Sequence, residues 1–292
     1  MNYKCQKNEA HFFVSALRVL ATKSIEALTV LSLLIFVPSM LYAGSPPIRF
    51  VKTNTIIINA GVNPPTIATP YPSSITVTGL TGQAVLKVTV TLSNFSHSFP
   101  SDVDALLVGP QGQMTFPMSE VGGFERDPVT NITLTIDDDA DEPLPLDDYL
   151  TTGTFQPNKL HSTNYFDMPL PAPPGNSNAP ALMSVFKGTD PNGTWNLYVV
   201  QDNATDSGII SNGWSLNISS GVLLKITPDN STNFVVAWTN SATGYTLQTA
   251  TNLSPPVVWN DILTPPGNVS GQFTLTNPVV GSGDVFYRLF KN

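Results

Sequence analysis

After residue 50 the chain alternates apolar and polar residues with a period of two, and that pattern sets the fold class. In Leu86-Lys87-Val88-Thr89-Val90-Thr91-Leu92 the apolar side chains fall on one side of an extended segment and the polar ones on the other. Asn131-Ile132-Thr133-Leu134-Thr135-Ile136, Trp195-Asn196-Leu197-Tyr198-Val199 and Trp214-Ser215-Leu216-Asn217-Ile218 repeat it. Successive side chains of a strand point to opposite faces, so each segment is expected to bury one face. Pro, Gly, Asn and Asp punctuate the gaps. Beyond the first 43 residues no stretch shows 3.6-residue periodicity. The expected class is all-β, with sheets packed as a sandwich.

The spacing of these segments suggests two domains joined near Ser220-Gly221. The first holds long acidic and Pro-rich loops. In the second, Leu223-Lys225, Phe234-Trp238, Tyr245-Thr249, Val257-Asn260, Phe273-Thr276 and Val285-Leu289 mark six short strands. Turn signals at intervals of roughly 8–12 residues read as a small sandwich. The N-terminus reads as an export leader, with Lys4, Lys7, Arg18 and Lys23 ahead of an apolar run from Ala27 to Ala43. That run has 17 residues, including Thr29, Ser32, Pro38 and Ser39. It is short against the roughly 20 apolar residues of a membrane span. Cleavage after Ala43 is the favoured reading, and a retained membrane anchor is the alternative. The division is therefore a leader at 1–43, a linker at 44–52, a first β-domain at 53–220 and a second at 221–292.

Export fixes the chemistry available. Without residues 1–43 the chain keeps 9 Lys and Arg against 19 Asp and Glu, a net charge of −10. A nucleic-acid partner needs a basic surface, so that class is set aside. The leader also carries Cys5, the sole cysteine. The mature chain has no disulfide, no thiol nucleophile and no thiolate metal ligand, and its core alone must hold the fold.

Three segments resemble one family. His97-Ser98-Phe99-Pro100-Ser101-Asp102-Val103, with Leu106-Leu107-Val108-Gly109-Pro110-Gln111-Gly112, is similar to the histidine-to-aspartate motif of the P domain, or Homo B domain. That domain follows the subtilisin-like catalytic domain in kexin- and furin-type proprotein convertases. Gly193-Thr194-Trp195-Asn196-Leu197-Tyr198-Val199 resembles its Gly-Thr-Trp-x-Leu signature, and Asp206-Ser207-Gly208 through Gly213-Trp214-Ser215-Leu216 its closing strand. The resemblance covers roughly residues 53–220. It implies a jelly-roll sandwich and a non-catalytic role, supporting the stability and calcium response of a peptidase domain. The chain departs from the family at Gln201, where an Asp is usual, with Asp202 next. The second domain resembles, more loosely, the fibronectin-III-like modules that end many secreted bacterial proteins, with Phe286-Tyr287-Arg288-Leu289 typical of their ends.

No protease can be assembled from these residues. Once His11 leaves with the leader, only His97 and His161 remain as bases, and a serine protease needs nucleophile, base and orienting acid together. Neither histidine has the His-Gly-Thr setting of subtilisin-like enzymes. No Gly-Thr-Ser-x-Ala segment supplies a nucleophile. His97 reads as a structural hydrogen-bonder.

Carboxylates are the strongest site signal. Asp137, Asp138, Asp139, Asp141, Glu142, Asp147 and Asp148 put seven acids in 12 residues, with no Lys or Arg between Arg126 and Lys159. Such oxygen density suits Ca²⁺, which takes 6–8 oxygen ligands. An EF-hand is rejected: Glu142 stands where the turn needs Gly, and flanking helices are absent. A loop-type calcium site at Asp137, Asp138, Asp139 and Asp141 remains, against a merely solvated acidic loop. Asp102 and Asp104, two apart on an extended segment, are expected to share a face and form a second pair for a cation.

Trp195 and Trp214 follow the inward alternation and read as core. Trp259, beside Pro255-Pro256, is the better candidate for an exposed aromatic, though burial is favoured there too. The sequons at Asn94, Asn131, Asn192 and Asn217 show compatibility with glycosylation only. The functional expectation is a secreted or surface binding module for a protein or polysaccharide. An accessory to a subtilisin-like peptidase and a structural spacer in an envelope or matrix are the alternatives.

Overall fold

A computed structural model describes residues 41–44, 46–124, 128–161, 166–229, 233–241, 243–278 and 285–291. Residues 1–40, the greater part of the expected leader, lie outside the described residues. Leu41–Gly44, where cleavage is expected, is a short strand paired with Trp214–Pro228. The protein is all-β, and its strands pack as two sandwich-like bodies divided between Gly221 and Val222.

Each layer of the first body is built on one of the alternating segments. In one sheet the order runs Gly153–Phe155, Val129–Ile136, Ala84–His97, then Trp214–Pro228. Ile48–Lys52 pairs antiparallel with the start of that last strand, Trp214 opposite Lys52 through Ile218 opposite Ile48. This stretch was expected to be a linker. Its alternation is weak because it is a sheet edge with Ile48 and Val51 exposed. The facing sheet runs Asn158–Lys159, Met114–Ser119, Val103–Val108 and Gly193–Gln201, the last also pairing Ser73–Val77 and Thr66–Ile67.

The inward faces meet as predicted for half-buried strands. Val88, Val90, Leu92, Leu134, Ile136, Leu216 and Ile218 from one sheet share a core with Ile75, Val77, Val103, Ala105, Leu107, Leu197 and Val199 from the other. Trp195 and Trp214 are fully buried in it. Their indole N–H groups are satisfied, Trp195 donating to the Pro191 carbonyl at 2.9 Å and Trp214 to Ser73 Oγ at 2.9 Å, as a buried donor requires. The alternation fails at one place. Leu86 is expected inward, yet Val85 is the buried residue. The ladder pairs Ser219 with Lys87 but Ser220 with Val85, so Leu86 is the extra residue of a bulge.

Val103–Val108 is buried on both faces, which alternation alone does not foretell. Its outer side chains, Leu106 and Val108, join Phe116, Tyr198 and Val200 beneath Met168, Ala172 and Ala179 of the long loop that follows residue 166. The loop acts as a third layer over the second sheet, and it isolates from water whatever polar group lies beneath it.

Glycine is required where chains approach closely. Gly208 opens a short strand, Gly208–Ile210, that pairs with Phe95–His97. A Cβ there would collide with the His97 ring and the Ser96 carbonyl. At Gly213 the backbone is left-handed, with φ of 65°, and a Cβ would strike the Lys52 carbonyl oxygen.

The second body contains two small sheets. Asn233–Thr239 lies between the end of Trp214–Pro228 and Gln272–Pro278, with Gly267–Val269 beyond. Tyr245–Ala250 lies between Asn260–Asp261 and Phe286–Lys291. Val222, Leu224, Val236, Trp238, Leu247, Leu275 and Leu289 form its core. The strand expected at Val257-Asn260 shrinks to Asn260–Asp261. Trp259 is half-buried under the Arg288 guanidinium, 4.4 Å from the ring centroid, a cation–π contact that covers one face.

Candidate functional site

The outer face of the second sheet carries a row of polar residues at one end. In register across neighbouring strands stand Lys159, Ser119 and Asp104, with the apolar Val200 next in line. Asp104 is 1% exposed, and neither carboxylate oxygen has a hydrogen-bond partner. Burial drives its pKa up to about 7; the nearby Ser119 hydroxyl holds it down in part, and repulsion from Asp202, Glu120 and Asp102 adds to the rise. An ionised carboxylate in such a place is costly unless something positive compensates it.

Its acidic neighbours show the same strain. Burial and then Glu120 raise Asp202 to about 6. Glu120 is itself raised by burial, an effect that His161, with Nε2 3.3 Å from Glu120 Oε2, partly offsets. Lys159 is the nearest cation. Burial pushes its pKa down while Asp104 pulls it up. Its Nζ donates to the Ala179 carbonyl at 2.6 Å and lies 5.5 Å from the Phe116 ring centroid. Lys159 is therefore committed to the covering loop, and the acids outnumber the cations at this end.

Asp102 is placed differently from its expected position. It closes a 3₁₀ turn, Pro100–Asp102, and the strand begins only at Val103, so strand alternation does not govern the pair. Asp102 adds to the field on Asp104, but its own Oδ2 accepts the Gln201 side-chain amide at 3.3 Å. Its carbonyl accepts the Asp202 N–H at 2.9 Å. Gln201 is fully buried. A neutral amide there can donate to Asp102, which a carboxylate could not do. The sequence does not mark Glu120 and Lys159 as partners of Asp104, because only strand pairing brings residues 104, 120, 159 and 202 together.

The acidic run occupies a different place and is partly neutralised from far along the chain. Lys87 Nζ lies 2.7 Å from Asp137 Oδ1 and 2.7 Å from Asp139 Oδ2. Both oxygens of Asp138 accept backbone N–H groups, from Met183 and Ser184, each at 2.7 Å. Asp139 N–H donates to Asp137 at 2.9 Å. Asp141 is exposed, and Asp148 accepts the Tyr149 N–H at 2.7 Å. Among the described residues, no three His, Cys, Asp or Glu side chains form a ready-made metal centre, here or around Asp104.

His97 is 2% exposed and its Nδ1 accepts the Phe99 N–H at 3.1 Å. Burial lowers its pKa, so the neutral imidazole carries its proton on Nε2. Ser98 Oγ donates to Asp206 at 2.9 Å, and Ser98 N–H to the Ser207 carbonyl at 3.0 Å. Folding thus brings His97-Ser98 against Asp206-Ser207-Gly208, two of the segments on which the family resemblance rests. Comparison with protein-family models, with curated proteins and with solved structures returned no match.

Proposed function

We propose that the protein is an exported, non-catalytic recognition module whose first body is steadied by Ca²⁺ at the Asp104 end. The observation that carries the cation is the buried Asp104 carboxylate with two unpartnered oxygens amid Glu120, Asp202 and Asp102. A divalent ion supplies the positive charge that Lys159 does not. Oxygen-only donors suit calcium, whose flexible coordination tolerates a site completed by water. Asp104, Asp202 and Glu120 would hold it, the latter two drawn toward the ion.

The non-catalytic reading is supported by the way both histidines are engaged. His97 Nδ1 is occupied by a backbone donor inside the core, and His161 faces Glu120. A protein or polysaccharide partner fits two β-bodies that carry long loops on a rigid frame. Chelator dialysis followed by melting with and without Ca²⁺ tests the ion, because a ligand bound only by the native state must raise the midpoint. An unchanged midpoint removes calcium. Glycan arrays and pull-downs from culture medium test recognition, and silence in both counts against it.

A second reading rests on the adjacency of His97-Ser98 and Asp206-Ser207-Gly208. It makes the chain an accessory of a subtilisin-like peptidase encoded elsewhere. A neighbouring gene for a peptidase lacking its own such domain would favour it, and failure of that purified peptidase to bind or be stabilised would end it. This route is fold analogy and ranks lower.

A further inference from the structure

The outward face of the three-stranded sheet in the second body holds one arginine in a fixed setting. Leu247, Ile262 and Leu289 pack into the core, so strand alternation turns Gln248, Asp261, Arg288 and Phe290 the other way. Asp261, Gln248 and Arg288 stand in register across the three strands, with Gln248 in the middle. Arg288 Nε donates to Gln248 Oε1 at 2.7 Å, and Gln248 Nε2 donates to Asp261 Oδ1 at 2.7 Å. The guanidinium lies 4.4 Å from the Trp259 ring centroid and 5.4 Å from that of Phe290. Two rings and a hydrogen bond thus hold its plane, and such preorganisation lowers the entropic cost of binding.

What the setting lacks is an anion. Gln248 stands between Arg288 and Asp261, and no carboxylate among the described residues pairs with the guanidinium. Its Nε is committed to Gln248, and its two Nη groups have no acceptor among the described residues. Burial lowers its pKa, with no carboxylate drawing it back. Arginine nonetheless stays charged in proteins, and a free pair of N–H groups matches a carboxylate in both shape and charge. Phe290, 45% exposed, presents an apolar ring beside it. Asp261 is exposed, and its second oxygen is open to a hydroxyl donor. The charge of this body suits an anionic partner: residues 222–292 carry three basic and three acidic residues, whereas residues 44–221 carry six and sixteen.

A sugar ring bearing a carboxylate meets all three groups at once. Its acid faces the Arg288 fork, its C–H face the Phe290 ring, and its hydroxyls Asp261. A peptide carboxylate on a flexible stem brings neither ring face nor hydroxyls, and further acids beside it would meet Asp261. Building on the recognition reading above, we propose that this face binds a uronic-acid polysaccharide, with Arg288 gripping the carboxylate and Phe290 supporting the ring.

Calorimetric titration of the mature chain with oligomers of galacturonate, glucuronate and mannuronate tests it, in chelator so that the Asp104 end plays no part. At least one should bind, and the same oligomer reduced to its neutral sugar should bind about tenfold more weakly or worse. Arg288→Gln should lose about as much, and so should Arg288→Lys, which keeps the charge and loses the fork. Phe290→Ala should weaken binding several-fold. Lys225→Met, which removes an exposed cation from another strand of the same body, should bind like the wild type. Unchanged melting midpoints show that each variant is folded, and the reduced oligomer needs no variant at all. Equal affinity for acidic and reduced oligomers overturns the proposal, as does wild-type binding by Arg288→Lys. A chain that ignores every uronate but takes a neutral glycan or a protein from the medium overturns it and leaves the recognition reading standing; silence toward all of them ends both.

Discussion

The acidic run at 137–148 and the Asp104 end of the second sheet are both rich in carboxylates, and folding treats them in opposite ways. In the run, Lys87 arrives from another strand to pair Asp137 and Asp139, while Asp138 takes two backbone donors. Every one of those three has a partner before any ion is considered. At the sheet end, burial removes water from Asp104 and places Glu120, Asp202 and Asp102 around it, with the nearby Ser119 hydroxyl offsetting only part of the cost. The lesson is that carboxylate density along the chain is a poor measure of electrostatic demand. Demand is set by burial and by unmet hydrogen bonding.

Four measurements put that contrast at risk. The largest effect belongs to Asp104→Asn, which removes a buried like charge. In chelator at about pH 8 it should stabilise the protein by ~1–3 kcal/mol and erase any rise in melting temperature on adding Ca²⁺. Destabilisation together with a retained calcium response would move the demand elsewhere. Asp138→Ala should act in the opposite direction, costing about 1–2 kcal/mol by freeing the Met183 and Ser184 N–H groups, with the calcium response intact.

The third measurement is the pH dependence of the chelated protein. Asp104 titrates near 7 when folded and near 3.8 when free, and Asp202 near 6. The folded state therefore holds extra protons between those limits, and stability falls as pH rises through the window. The melting temperature should climb as the pH is lowered from about 7.5 to about 5, and calcium should flatten that climb. A profile that falls toward acid instead would show that these acids are already compensated. The smallest effect is Lys87→Met. Asp139 is 77% exposed, so the pair with it is worth ~0–1 kcal/mol and should fade in salt, and the pair with Asp137, 19% exposed, carries most of the loss. A larger loss, read by denaturant melts at low and high salt, would make the run more than a solvated surface.

Much of the fold was legible because period-two alternation is a local signal: the strands around Val90, Leu134, Leu197 and Leu216 could be read directly. Leu86 was misplaced because a bulge depends on the partner strand, at Ser219 and Ser220. Burial of Val103–Val108 on both faces depends on a loop more than 60 residues away. Asp104 was visible as an unusual acid in a strand. Glu120 and Lys159 were not, since nothing in their own neighbourhoods marks them; Asp202 stood out only as the acid next to Gln201, and Lys87 gave no sign that it would reach the acidic run.

The hydrogen bond from Trp214 to Ser73 crosses the dry interior from one layer to the other. If the layers slipped past each other by a residue, that indole would lose its acceptor where no solvent could replace it. The bond works as a pin against sliding. It also makes Trp214 an optical reporter: its emission should redden only when the layers part, and not when outer loops loosen.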